Sequence, residues 1–132
     1  MPKQSTILSN SDLMSRYIDI ETVPWEPTTS PGIDIKILYE DKNRGLMTAL
    51  FRWAPGSRLT LHEHTDIEQT YVVEGSLADD EGEATQGNFV WRPTGSRHES
   101  WSPNGAITLS IFLAPNKFDG PTNNKPKSVN QL

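Results

Sequence analysis

The chain has 132 residues and a formal charge of −5, from 12 Lys and Arg against 17 Asp and Glu, a length that fits one domain. It has no cysteine, which excludes disulfide scaffolds, Cys-ligated zinc or iron–sulfur sites and thiol catalysis, and its acidity argues against a nucleic-acid partner. No apolar run nears the ~18 residues of a membrane span, and the opening MPKQSTILSNSDL lacks the apolar stretch of a signal peptide. The expectation is a soluble, cytoplasmic protein with no membrane partner.

Residues 1–16 read as an N-terminal arm, in which Asn10, Ser11 and Asp12 can start a short helical turn towards Tyr17. From residue 17 to 118 the period is two. Ile33, Ile35, Ile37 and Tyr39 alternate with Asp34, Lys36, Leu38 and Glu40, the pattern of a half-buried strand. A turn at 41–45 leads to a second strand at 46–53, stopped by Ala54-Pro55-Gly56. Further strands are expected at 59–64, 69–73, 89–92, 97–101 and 107–113. Turn residues separate them: Glu74-Gly75, Gln86-Gly87-Asn88, Pro93-Thr94-Gly95 and Pro103-Asn104-Gly105. The acidic stretch from Asp79 to Glu83 reads as a solvated hairpin tip. Residues 119–132 read as a C-terminal tail. This many short strands, with 10 Pro and 9 Gly, predict a single all-β sandwich or barrel. The exposed strand at 33–39 and the terminal arms suggest cover from a second copy, hence a homodimer.

All three histidines, His62, His64 and His98, fall within 37 residues. His62 and His64 are two apart in a strand, so both side chains point to one face and form a ready pair of metal ligands. Glu68 can add an oxygen ligand at the start of the next strand. A tight turn from Pro93 to Ser96 can aim His98 back at the pair.

The spacing is that of the cupin signature. Its first half reads Gly56, five residues, His62-x-His64, three residues, Glu68, six residues, Gly75; its second reads Gly87, five residues, Pro93-x-Gly95, two residues, His98. Ser102 stands where the second half often ends in Asn. The resemblance implies a cupin double-stranded β-helix, a jelly-roll barrel that is usually dimeric, with a metal held by His62, His64, Glu68 and His98. Residues 17–118 further resemble ChrR-type cupins, a family that also looks related to acetylacetone-cleaving dioxygenases. The strings carrying this are Trp25-Glu-Pro, Ile37-Leu-Tyr-Glu-Asp, Phe51-Arg-Trp-Ala-Pro-Gly, Val73-Glu-Gly-Ser and Arg92-Pro-Thr-Gly-Ser-Arg-His. The ChrR anti-sigma factor carries a zinc-binding domain ahead of its cupin; the expectation is that this chain lacks one, having no cysteine to build it.

Three neutral imidazoles and a carboxylate suit one divalent transition metal, Fe or Zn first, with Ni, Mn or Co also compatible. The resemblance therefore implies a metal-dependent oxygenase acting on a small oxygenated or dicarbonyl substrate. The alternative is a non-enzymatic zinc-binding or ligand-sensing cupin of ChrR type. Glu68 is also a candidate catalytic base. Strand parity puts Thr70, not Tyr71, on the face of Glu68. Arg52, opposite in parity to Phe51 and Trp53, and Trp101, three residues after His98, are candidates for contacting the substrate.

Overall fold

Residues 13–118 are described by the structure, a computed structural model. The alternating segments form antiparallel strands: β1 (Glu26–Pro27), β2 (Ile33–Asp41), β3 (Leu46–Trp53), β4 (Arg58–Glu63), β5 (Glu68–Ala78), β6 (Glu83–Thr85), β7 (Phe89–Arg92), β8 (Arg97–Trp101), β9 (Ala106–Phe112) and β10 (Lys117–Phe118). A 3-10 turn at Ile20–Thr22 precedes them, its first turn capped by the Asp19 carboxylate. The expected helical turn begins outside the described residues. From Ser15 to Asp19 the backbone has no regular structure, and the tail at 119–132 also lies outside them.

The strand path is β1-β2-β3-β9-β5-β8-β4-β10, with β6 and β7 also on β5. Glu68 to Gly75 of β5 pair with β9 on one side, and the first four of these residues with β7 on the other. Ser76 to Ala78 then pair with β6, and Ala78 with β8. β5 thus crosses from one sheet to the other, and the two sheets close over a shared core as a jelly roll.

The crossing is made by a bulge between Val72 and Glu74, followed by Gly75 at φ 74°. Glu74-Gly75 therefore does not end a strand, as its composition suggests; it bends one. A bulge adds twist and redirects the chain while the ladder continues. A second bulge, between Ile37 and Tyr39 of β2, inserts Leu38 and turns Tyr39 outward, where it is 55% exposed. That ends the alternation that reads as buried in sequence. The short strands β1, β6 and β10 carry too few residues for a periodicity signal.

Inward residues divide by polarity. Ile33, Ile35, Met47, Phe51, Val72, Leu77 and Phe112 build the apolar core, with Phe51 and Phe112 edge-to-face at 6.0 Å. Beside it lie buried His62, His64, Thr70, Arg92, His98, Thr108 and Ser110. The tryptophans divide too. Trp53 is buried and donates its Nε1–H to Thr108 Oγ1 at 3.2 Å. Trp25 lies under Arg52 and Lys36, Trp101 lies under Arg58, and Trp91 is exposed.

Of the described glycines, Gly75 lies most tightly against another backbone segment. A Cβ there would lie 2.0 Å from the Gly105 carbonyl oxygen, whereas one at Gly87, at φ 82°, would meet nothing within 4 Å. Gly87→Ala is expected to cost the left-handed penalty alone, about 1–2 kcal/mol. Gly75→Ala adds a clash with rigid backbone and should cost more than about 3 kcal/mol. Denaturant melts of both variants check the order; equal losses would mean the contact is relieved by backbone movement.

Candidate metal centre

β4 and β8 pair so that His62 stands directly opposite His98. Residues opposed across an antiparallel pair hold their side chains within contact distance on one face. His64, just past the end of β4, keeps the same parity as His62. Its backbone is fixed by two hydrogen bonds to the β7–β8 turn: His64 N–H donates to Ser96 O at 2.9 Å, and Gly95 N–H donates to His64 O at 2.7 Å. Each of the three imidazoles offers a nitrogen, and these nitrogens all lie within 4.8 Å of one another. All three rings are buried.

The other ring nitrogens fix the orientation. His62 Nδ1 lies 2.7 Å from Thr60 O and His98 Nδ1 lies 3.2 Å from Asp79 Oδ2. Both acceptors require Nδ1–H, which leaves each Nε2 a bare lone pair. His64 Nε2 is 2.7 Å from His98 Nε2, while His64 Nδ1, 3.2 Å from Glu68 Oε1, has no hydrogen bond of good geometry. The same cavity is lined by Asn116, whose buried Nδ2 also lacks a partner.

A cation resolves this arrangement. The three rings each offer one nitrogen within a small shared space, and His62 and His98 hold their far N–H on oxygens. This is the arrangement of metal-bound histidines. The donor set fits a divalent transition ion of the nitrogen-preferring kind.

Burial disfavours charge on the rings. Desolvation lowers His62 to about 4, against the opposing Thr60 carbonyl. It lowers His64 to about 3, helped by the other two histidines and Arg92. His98 is lowered by burial and by Arg92, with Asp79 opposing. The rings are therefore neutral and ligation-ready at neutral pH. Glu68 moves the other way: burial raises it to about 7, against Arg92 and the hydroxyls of Thr70 and Ser110.

The candidate residues separate in space. Glu68 lines the cavity with His62 and accepts from Thr70 Oγ1 at 3.2 Å, in keeping with the parity of β5. It stands behind His64 and is not part of the convergent group of three. Arg52 is on the outer face, paired with Asp34 at 2.8 Å and stacked over Trp25. Trp101 is half-buried against Arg58 and does not line the cavity. Ser102 is fully buried and donates to Ser76 O at 2.7 Å, tying β8's end to β5.

Two residues that sequence reading did not single out belong to the site. Asp79 is buried, not solvated: it receives Arg92 Nη1, the N–H groups of Glu81 and Gly82, and His98 Nδ1. Burial pushes its carboxyl up, but Arg92 and those N–H groups outweigh it and hold the value below normal. Arg92 is buried too and lines the cavity opposite Glu68. Its parity was readable, since Val90 and Arg92 alternate with the exposed Phe89 and Trp91. For Asp79 the acidic neighbours hid the signal.

Comparison with known proteins identifies the class. The model of the ChrR cupin-like domain family matches residues 14–117, and the chain belongs to that family. Its fold is accordingly the cupin jelly roll. No curated protein matches the chain. Among solved structures, an acetylacetone dioxygenase from Acinetobacter johnsonii superposes with a TM-score of 0.79 at 19% identity, covering 96% of this chain and 89% of that one. An RmlC-like cupin protein from Ralstonia eutropha gives 0.78 at 22% identity, covering 93% and 85%. The anti-sigma ChrR, in complex with SigE of Rhodobacter sphaeroides, gives 0.61 at 21% identity, over 70% of this chain and 50% of that one. No helix among the described residues is long and apolar enough to cross a membrane.

The shifted groups set opposite pH slopes in metal-free protein. Where a lowered histidine is neutral in the fold but protonated in the unfolded chain, stability rises with pH. For His62 this window runs from about 4 to the ordinary 6.5, and for His64 from about 3. Raised Glu68 acts inversely, removing stability as pH climbs from 4.5 to about 7. Three histidines outweigh one carboxyl, so thermal midpoints in chelator should climb from pH 4 to about 6.5 and then decline slightly. Glu68→Gln should abolish the decline. A midpoint that rises as pH falls below 6 contradicts neutral buried rings.

Proposed function

We propose that the protein is a metal-dependent oxygenase acting on a small oxygenated or dicarbonyl compound. The observation that carries this reading is the convergence of three buried imidazole nitrogens within 4.8 Å of one another. The acetylacetone dioxygenase fold relative supports the reaction class, and fold likeness alone does not assign it. His62, His64 and His98 would hold the ion. A redox-active ion such as Fe(II) held there would supply dioxygen chemistry, and Zn would supply Lewis acidity.

The chain's own residues have separate tasks in this reading. Thr60 O and Asp79 hold the rings of His62 and His98 in register. Glu68, with its carboxyl pushed up to about 7, is suited to hold or pass a proton at a carboxylate oxygen within the small inner cavity. As a direct fourth ligand, it would have to turn its carboxylate past His64.

Purified protein loaded anaerobically with one equivalent of Fe(II) should consume oxygen when given a small β-dicarbonyl compound. His62→Ala should lose metal and at least about 100-fold in uptake, since it removes a ligand outright. Glu68→Gln should keep the metal and lose rate. Tightly held zinc, with no oxygen uptake by the iron-loaded form, would instead support the zinc-binding or ligand-sensing alternative suggested by the ChrR relative.

The same reading includes a homodimer. Tyr71, Phe89, Trp91 and Ile111 are exposed on the outer face of β5, β7 and β9, joined in one patch by the pairings Tyr71–Phe89, Gln69–Trp91 and Gln69–Ile111. A second copy would cover this apolar surface. Sedimentation at micromolar concentration should give twice the monomer mass of 14.8 kDa, and Trp91→Glu should shift it towards monomer. A wild-type monomer under those conditions rejects the dimer.

A further inference from the structure

The inner cavity beside His62 and Glu68 has a volume of about 20 Å³, room for about one water molecule. No organic substrate fits there. On the far side of Arg92, between β6, β7 and the start of β8, runs a groove of about 460 Å³, a size typical of small-molecule sites. Leu77 and Arg92 line both spaces, and His98 and Asp79 border the groove. The groove therefore reaches the histidine cluster directly at His98, and Arg92 faces both spaces.

The Arg92 guanidinium is under-used. Arg92 is 9% exposed, and among the described residues its guanidinium makes one hydrogen bond, from Nη1 to Asp79. Arginine carries five N–H donors in a planar fork. Asp79 cannot satisfy the rest, since it also accepts from Glu81, Gly82 and His98. No Arg92 nitrogen is both buried and unpartnered, so the spare donors face open space, where a carboxylate matches the fork in shape and charge. Around it the groove offers apolar wall from Leu77, Ala84, Val90 and Pro93. Glu81 and Glu83 also line it and oppose any negative charge, so the carboxylate is held only where Arg92 outweighs them and a second charge is disfavoured further.

We propose that this groove is a binding site for a small monocarboxylate with a short apolar body, its carboxylate held by Arg92 and its body lying along Leu77 and Ala84 towards His98. Asp79 acts as the positioning residue, holding Arg92 and His98 at once. The proposal deepens the reading of the histidine cluster as a reaction centre by naming the class of molecule delivered to it.

Benzoate and its neutral isostere benzamide are the probes, titrated calorimetrically into metal-free and zinc-loaded protein, so that binding is read without turnover. Benzoate should bind at least about tenfold more tightly than benzamide. Arg92→Gln should bring the two to parity, and Arg92→Lys should keep part of the preference. Ala84→Trp, which fills the groove away from the ion pair, should abolish benzoate binding with metal content unchanged; it serves if Arg92→Gln does not fold. Equal binding of the two probes, no benzoate binding at millimolar concentration, or undiminished binding to Ala84→Trp would each overturn the proposal. Oxygen uptake is measured separately. Its absence alongside selective benzoate binding would reject the oxygenase and leave the groove standing; the reverse would reject the groove alone.

Discussion

The register between β4 and β8 is the constraint on which the site depends. It sets His62 against His98, and the Ser96 and Gly95 backbone bonds to His64 lock the third ring beside them. A one-residue slip would turn every inward side chain outward. Gly95, at φ 87°, gives the β7–β8 turn the tight geometry that brings His98 back across from the pair. The convergence of the three histidines is in this sense a product of backbone pairing, and the polar core around it follows from that placement.

Burial then decides the chemistry. Three rings withdrawn from water remain neutral, and the Nδ1–H groups of His62 and His98 are spent on the Thr60 carbonyl and on Asp79. Arg92 is the cation that faces this interior: its charge lowers His62, His64 and His98 and opposes the rise of Glu68. Asp79 balances it. A neutral cluster flanked by one internal ion pair keeps the cavity free of uncompensated charge until a dication enters.

Much of this was legible in the chain. β3, β7 and β8 fall at the residues where alternation put them, and the histidine parity led directly to the convergent group. What was hidden has physical causes. The bulges at Leu38 and before Gly75, and the register shift between Leu59 and His62, each put an extra residue into a ladder, which a strict period of two cannot express. β1, β6 and β10 are held by neighbours and have no pattern of their own. Asp79 looked solvated because Asp80, Glu81 and Glu83 surround it in sequence, although only the fold brings Arg92 and His98 to it. Trp101 was read from its nearness to His98 in sequence, and its ring packs under Arg58 instead; Arg52 was read from strand parity, and that face is the outer one, where it meets Asp34 and Trp25.

β5 has a mechanical meaning as well. One unbroken strand of 11 residues belongs to both sheets, so neither can peel away without dragging the other's central ladder with it. The barrel has no internal seam along which it can open in halves. Slow amide exchange should therefore reach its limit together along β5 and its neighbours in both sheets, as one cooperative unit. An ion bound by β4 and β8 would then slow the opening of distant β3 and β9 amides by the same factor, because its binding energy is felt by a structure that yields all at once.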